Sequence, residues 1–156
     1  MNIHAGYFAL SPALNPFSRL DAWLNPRRYH AVVTLREQAL LISWTERARR
    51  AMQANSPPLT VEMQLYFSCV VKKRVLFHLE TEFESVVVNE RLRVTFRPVQ
   101  STSCDPVEFA RNYPVEREFN SVAANKMHPK WLQIDYQHGR FVGDFGLCIR
   151  ATFRSL

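Results

Sequence analysis

The sequence predicts an α+β fold. It has one curved antiparallel sheet of about five strands packed on one main helix, with a short second helix and an irregular N-terminal segment. Three observations predict it. In Leu59–Val71, the residues Leu59, Val61, Met63, Leu65, Phe67, Cys69 and Val71 alternate with Thr60, Glu62, Gln64, Tyr66, Ser68 and Val70. That period of two marks a strand with one buried face, and a slip of one residue would expose every apolar side chain. Leu41, Trp44, Ala48, Ala51 and Met52 recur at three- and four-residue spacing, as on an amphipathic helix. Near the C-terminal end, Leu132, Ile134 and Tyr136 lead through His138-Gly139 into Phe141 and Phe145, which reads as a hairpin.

Length and composition bound the rest. A chain of 156 residues is read as one domain, 1–156, with residues 1–28 as an arm and 29–156 as the helix-plus-sheet body. With 47% hydrophobic residues and only 4 glycines, it is not a disordered sequence. No apolar run approaches the roughly 20 residues of a membrane span. Asn2 and His4 stand where a signal peptide would carry its basic region. Cys69, Cys104 and Cys148 are an odd set with no close pair, which argues for a reducing, cytoplasmic setting. The net charge of +6 favours an anionic partner: an acidic protein, an anionic lipid surface or nucleic acid.

Along the chain, Pro12, Pro16 and Pro26 break up the first 28 residues. A short helix fits Arg19–Leu24, with Ser18 as N-cap and Asn25-Pro26 as its stop. Phe17, Leu20, Trp23 and Leu24 are expected to pack it onto the body, as a cover for the core or as a docking arm. Tyr29–Val33 reads as a short strand. Thr34-Leu35-Arg36-Glu37 matches a capping box that opens the main helix, Leu35 to about Ala54, closed by Ser56-Pro57-Pro58. Strands then fit Leu59–Val71, Arg74–Phe83 and Arg91–Arg97. Pairing the last two antiparallel sets Glu84 opposite Arg91 and Glu82 opposite Arg93. Asp105-Pro106 suits the start of a short helix that ends before Pro114, and 113–129 reads as a polar loop. Trp131–Gln137 and Arg140–Phe153 form the hairpin, with Gln137 opposite Arg140, Tyr136 opposite Phe141 and Ile134 opposite Gly143. Gly143 and Gly146 mark curvature, or close approach of another backbone or a ligand.

The chain has no Walker loop, Gly-x-Gly-x-x-Gly, His-Glu-x-x-His or Gly-x-Ser-x-Gly pattern, and no pattern that calls for a metal or cofactor. The expected function is a non-enzymatic binding module for a protein or anionic partner. Its candidate binding residues are Arg47, Arg49, Arg50, Arg91, Arg93 and Arg97. Nucleic acid fits less well, because Glu82 and Glu84 are expected to occupy two of those arginines. Self-association is compatible with the same surface. The alternative is a small-molecule-binding or enzymatic domain with an apolar pocket between helix and sheet, lined by Trp44, Phe67, Phe77 and Tyr136. Cys104, His128, Asp135, His138 and Asp144 are the side chains that would carry chemistry there.

Overall fold

The computed structural model of the chain describes residues 16–67, 71–101, 116–119 and 121–147. Strands predominate. The elements are α1 (Pro16–Leu24), β1 (Tyr29–Leu35), β2 (Gln38–Trp44), α2 (Glu46–Ala54), β3 (Leu59–Phe67), β4 (Val71–His78), β5 (Val86–Asn89), β6 (Leu92–Ser101), β7 (Glu116–Glu118), α3 (Val122–Asn125), β8 (Trp131–Gln137) and β9 (Arg140–Gly146). They build two sheets rather than one. The first has the order β1-β2-β8-β9. The second has the order β4-β3-β6-β5, with the short β7 on β6.

Each sheet joins two antiparallel pairs through a central parallel pair. β1–β2 and β8–β9 meet where β2 runs parallel to β8. β3–β4 and β5–β6 meet where β3 runs parallel to β6. Two-stranded hairpins are marginal alone, and one apolar face per sheet is still open after this pairing. The two open faces close on each other. Leu40, Ile42, Trp44, Leu132, Ile134 and Phe145 of the first sheet share one core with Leu59, Val61, Met63, Leu65, Leu92, Val94 and Phe96 of the second. Ala48 and Met52 of α2 join that core.

The expected single five-stranded sheet on a main helix is therefore overturned. The helix expected over Leu35–Ala54 is strand β2 followed by the nine-residue α2. Leu41, Trp44 and Ala48 fit a helical spacing, but Leu40, Ile42 and Trp44 share one strand parity and face the core. Thr34–Glu37 is no capping box. Arg36 and Glu37, at φ 48° and 65°, form the two-residue turn between β1 and β2. The cap of α2 is Thr45, whose hydroxyl accepts from the Ala48 N–H at 3.2 Å.

Three further expectations change. β4 spans Val71–His78, so Glu82 and Glu84 lie in the loop before β5 and do not face Arg93 and Arg91. Arg93 sits opposite Val87 instead. Helix α1 stops before Asn25 as expected, but it starts at Pro16 rather than Arg19, which places Ser18 inside the helix instead of at its cap, and it buries none of its residues. The outer parity of β3 is not open to water: Glu62, Gln64 and Tyr66 are as buried as Val61 and Met63. The expected helix after Asp105, Cys69, Cys104, Cys148 and the end of the strand at Phe153 lie outside the described residues.

The β8–β9 register is the expected one, with Gln137 opposite Arg140, Tyr136 opposite Phe141 and Ile134 opposite Gly143. Its two strand glycines serve close approach. A Cβ on Gly143 would meet Val75 Cγ1 at 3.0 Å and Phe77 Cζ at 3.2 Å, across the sandwich. One on Gly146 would lie 2.4 Å from the Trp131 indole. Gly146→Ala should therefore force the buried ring to shift and lower stability by about 1–3 kcal/mol. Tyr66→Ala should cost about 3–5 kcal/mol, as for a fully buried aromatic ring. Urea denaturation measures both; a Tyr66→Ala loss under about 1 kcal/mol would mean that the outer face of β3 meets water.

An arginine-rimmed groove beside Asp135

Thr45 ends β2 and begins α2, and its hydroxyl links the two sheet strands β2 and β8 to the helix. While it accepts from Ala48, it also donates to Asp135 Oδ1 at 2.6 Å. Asp135 lies on the outer parity of β8 and is buried. Arg47 Nε donates to its Oδ1 at 2.7 Å, and Gln137 Nε2 to its Oδ2 at 2.7 Å. The Tyr136 N–H donates to Oδ1 at 2.8 Å. Burial pushes the Asp135 carboxyl up, but these donors outweigh it and hold the group well below the usual carboxylate range. Arg47 turns its other edge to Asp21 of α1, with Nη1 and Nη2 at 2.9 and 2.7 Å from the two carboxylate oxygens. The hydrogen bonds from Arg47 hold Asp21 below its ordinary value as well.

Next to this network, α2 and the β8–β9 turn enclose a groove of about 490 Å³. Leu59, Phe77, Tyr136 and Phe141 give it an apolar, aromatic wall. Phe141 stacks on Phe77 at 5.6 Å and meets the edge of Tyr136 at 4.9 Å. Arg47, Arg50 and Arg140 line the same groove. Arg47 is already shared by two carboxylates. Arg50 shares Glu46 with Arg49, so one carboxylate serves two cations. Hydrogen bonds from Arg49, then from Tyr29, hold Glu46 below its usual range. Arg140 is exposed and has no ion-pair partner among the described residues.

The predicted binding arginines do not form one surface. Arg47 and Arg50 line the groove, while Arg49 lies over the Tyr29 ring at 5.3 Å. Arg91 donates to the Asn55 carbonyl at 3.0 Å, and Asn55 lines the groove. Arg93 is exposed on β6. Arg97 is drawn inward to Glu62 at 3.1 Å. Of the side chains considered for chemistry, Asp135 belongs to the network above. Asp144 accepts from Lys73 at 3.1 Å. His138 is exposed in the β8–β9 turn at φ 51°. His128 lines a separate cleft of about 610 Å³ with Glu37 and Glu118, and Cys104 lies outside the described residues.

Of the aromatics expected to line a pocket, Phe77 and Tyr136 do so. Trp44 stacks on Tyr29 at 6.2 Å, and Phe67 packs on Phe119 at 4.8 Å. Arg140 and Asp21 did not stand out in the sequence. The signal that marks Arg140 is its place beside a two-residue turn, next to an aromatic. Among the described residues, no group of three or more His, Cys, Asp or Glu could hold a metal ion.

No protein-family model, curated protein or solved structure matches this chain.

Asp135→Asn keeps the shape of the network and removes its charge. It should lower stability at neutral pH by about 2–3 kcal/mol, below the roughly 3–5 kcal/mol of a fully buried pair because Arg47 is partly exposed. The native carboxyl titrates below its unfolded value of about 3.9. Its contribution is therefore full above that pH and is lost as pH falls further. The gap between the urea midpoints of the two proteins should be constant from pH 7 to about pH 5 and shrink below about pH 4.

Proposed function

We propose that this domain is a non-enzymatic binding module for an anionic partner that carries an apolar body. The observation that carries the reading is the set of three guanidinium groups, Arg47, Arg50 and Arg140, on a groove walled by Phe77, Tyr136 and Phe141. An apolar floor supplies affinity by area, and a few convergent polar groups fix orientation. Arginine suits carboxylate and phosphate because its planar fork donates two parallel hydrogen bonds. Arg47 has both edges of its guanidinium taken by Asp135 and Asp21, so it is a fixed part of the groove wall, and Arg50 and Arg140 are the cations left to meet a ligand. Arg140 brings charge that no carboxylate among the described residues neutralises. Nucleic acid is the weaker partner, since Arg97 is spent on Glu62 and Arg49 on Glu46, and Arg93 is not among the residues that line the groove. Among the described residues, no helix is long and apolar enough to cross a membrane. The odd cysteine count supports a cytoplasmic setting.

Calorimetric titration with a medium-chain carboxylate, and with the alcohol of equal length, tests this. The carboxylate should bind about tenfold or more tightly than the alcohol, as expected for a charge-assisted hydrogen bond. Arg140→Ala, at an exposed position, should erase most of that difference and leave the urea midpoint unchanged. Equal affinity for both probes, or an Arg140→Ala protein that still discriminates, would remove the reading.

A further inference from the structure

Helix α1 turns its apolar side chains to water. Phe17 is 79%, Leu20 52%, Trp23 76% and Leu24 62% exposed. At 3.6 residues per turn these four fall within one arc of roughly 120°. The helix is fastened by something else: Asp21 is clamped by Arg47, and the Asn25 N–H caps the Asp21 carbonyl at 2.8 Å. A nine-residue helix has little stability of its own in water. The ionic clamp therefore holds an apolar stripe outward that ordinary folding would turn inward.

Charge identifies what covers it. From Met1 to Arg36 the sequence has one carboxylate, Asp21, against Arg19, Arg27, Arg28 and Arg36. Asp21 is paired with Arg47, which it shares with Asp135. Arg19, on the helix itself, and Arg28, just after it, are exposed and pair with no carboxylate among the described residues. An apolar arc carrying Trp and Phe beside unpaired arginines is the pattern of a helix lying in the interface of an anionic bilayer. The Trp23 indole suits the boundary between headgroups and acyl chains. At about 1.5 Å per residue, α1 is far too short to span. A second copy is a poorer occupant. Aromatic rings bury about 150–250 Å² each, so these four partly exposed side chains fall short of the roughly 800 Å² per partner of a stable interface.

We propose that α1 docks this domain onto an anionic lipid surface, with Leu20, Trp23 and Leu24 inserted and Arg19 and Arg28 at the headgroups. The site lies outside the groove but shares Arg47 with it, the residue that clamps Asp21 and lines the groove.

The test uses the full chain and vesicles of phosphatidylcholine, with and without phosphatidylserine. Vesicle co-sedimentation should show binding to the anionic vesicles and little to the neutral ones, weakening as salt rises. Tryptophan emission should shift to the blue on binding. Trp44 and Trp131 are buried, so the shift reports Trp23. The double variant Leu20→Ser with Trp23→Ser should reduce the bound fraction by about tenfold or more while keeping the urea midpoint. Arg19→Glu, a surface charge reversal, should reduce binding with no loss of apolar contact. Absent binding overturns the proposal, and so does equal binding to both vesicle types. Binding that survives both variants also overturns it. A concentration-dependent dimer that the double variant abolishes, with no vesicle binding, would assign the stripe to a second copy instead.

Discussion

Asp135 sits on β8 beside the parallel strand β2, and its carboxylate gathers donors from the β2–α2 junction, from α2 and from β8 itself. A buried carboxylate is tolerable only when its oxygens are satisfied. That requirement propagates. Thr45 must stand at the end of β2 to reach it, which sets where the strand stops and α2 starts. Arg47, in the first turn of α2, must point back across the sheet. The unused edge of its guanidinium then reaches Asp21 and holds α1. One residue thus positions two helices that contribute little apolar area of their own, and it fixes the wall of the groove that α2 provides.

The second sheet obeys the same rule at Glu62. This residue occupies the outer parity of β3, is buried, and meets Arg97 of β6 at 3.1 Å and His78 of β4 at 2.8 Å. Gln64 Nε2 donates to it at 3.2 Å. The Phe83 ring covers the Arg97 guanidinium, with the centroid 3.7 Å away. The acid on the central strand is thereby tied to both flanking strands. Slipping β6 by one residue against β3 would turn Arg97 toward the apolar core and leave Glu62 without it. The gain from such a pair is register more than net stability, since removing two charges from water costs nearly what their attraction returns. That matters most for β3 and β6, which are parallel and have no shared turn to set their alignment.

These facts explain what the sequence disclosed. The β8–β9 register was legible because a two-residue turn sets it, and a turn is local chemistry. His138 at φ 51° and Gly139 at φ 77° are the kind of residues that such a turn accepts. The alternation in β3 was legible for its inner face. Its outer face misled, because Glu62 and Gln64 look solvated until their partners are found elsewhere in the chain. Residues 38–44 fit both a strand and a helix, and seven residues are too few to decide by spacing alone. The two-sheet plan was hidden for a different reason. The contacts that define it, β2 with β8 and β3 with β6, join strands far apart in sequence. At the site, Arg47 was noticed as one of six candidate cations, but its carboxylates stand 26 and 88 positions away.

The groove lies where the sandwich closes rather than inside it. The two inner faces fill each other with large side chains that are fully buried, so a ligand has to bind at an edge. Gly143 decides how tight that edge is. It lets β9 come down on β4 until Val75 and Phe77 crowd the space that a Cβ would need. Phe77 is thereby brought against Phe141, and their stacked rings form part of the groove wall. A side chain at 143 would press on Phe77 at 3.2 Å, and the ring could yield only by moving along that wall. The residue that shapes the groove from behind thus carries no functional group. Its contribution is the space that a missing Cβ leaves, and this connects the packing of the two sheets to the surface that Arg47, Arg50 and Arg140 surround.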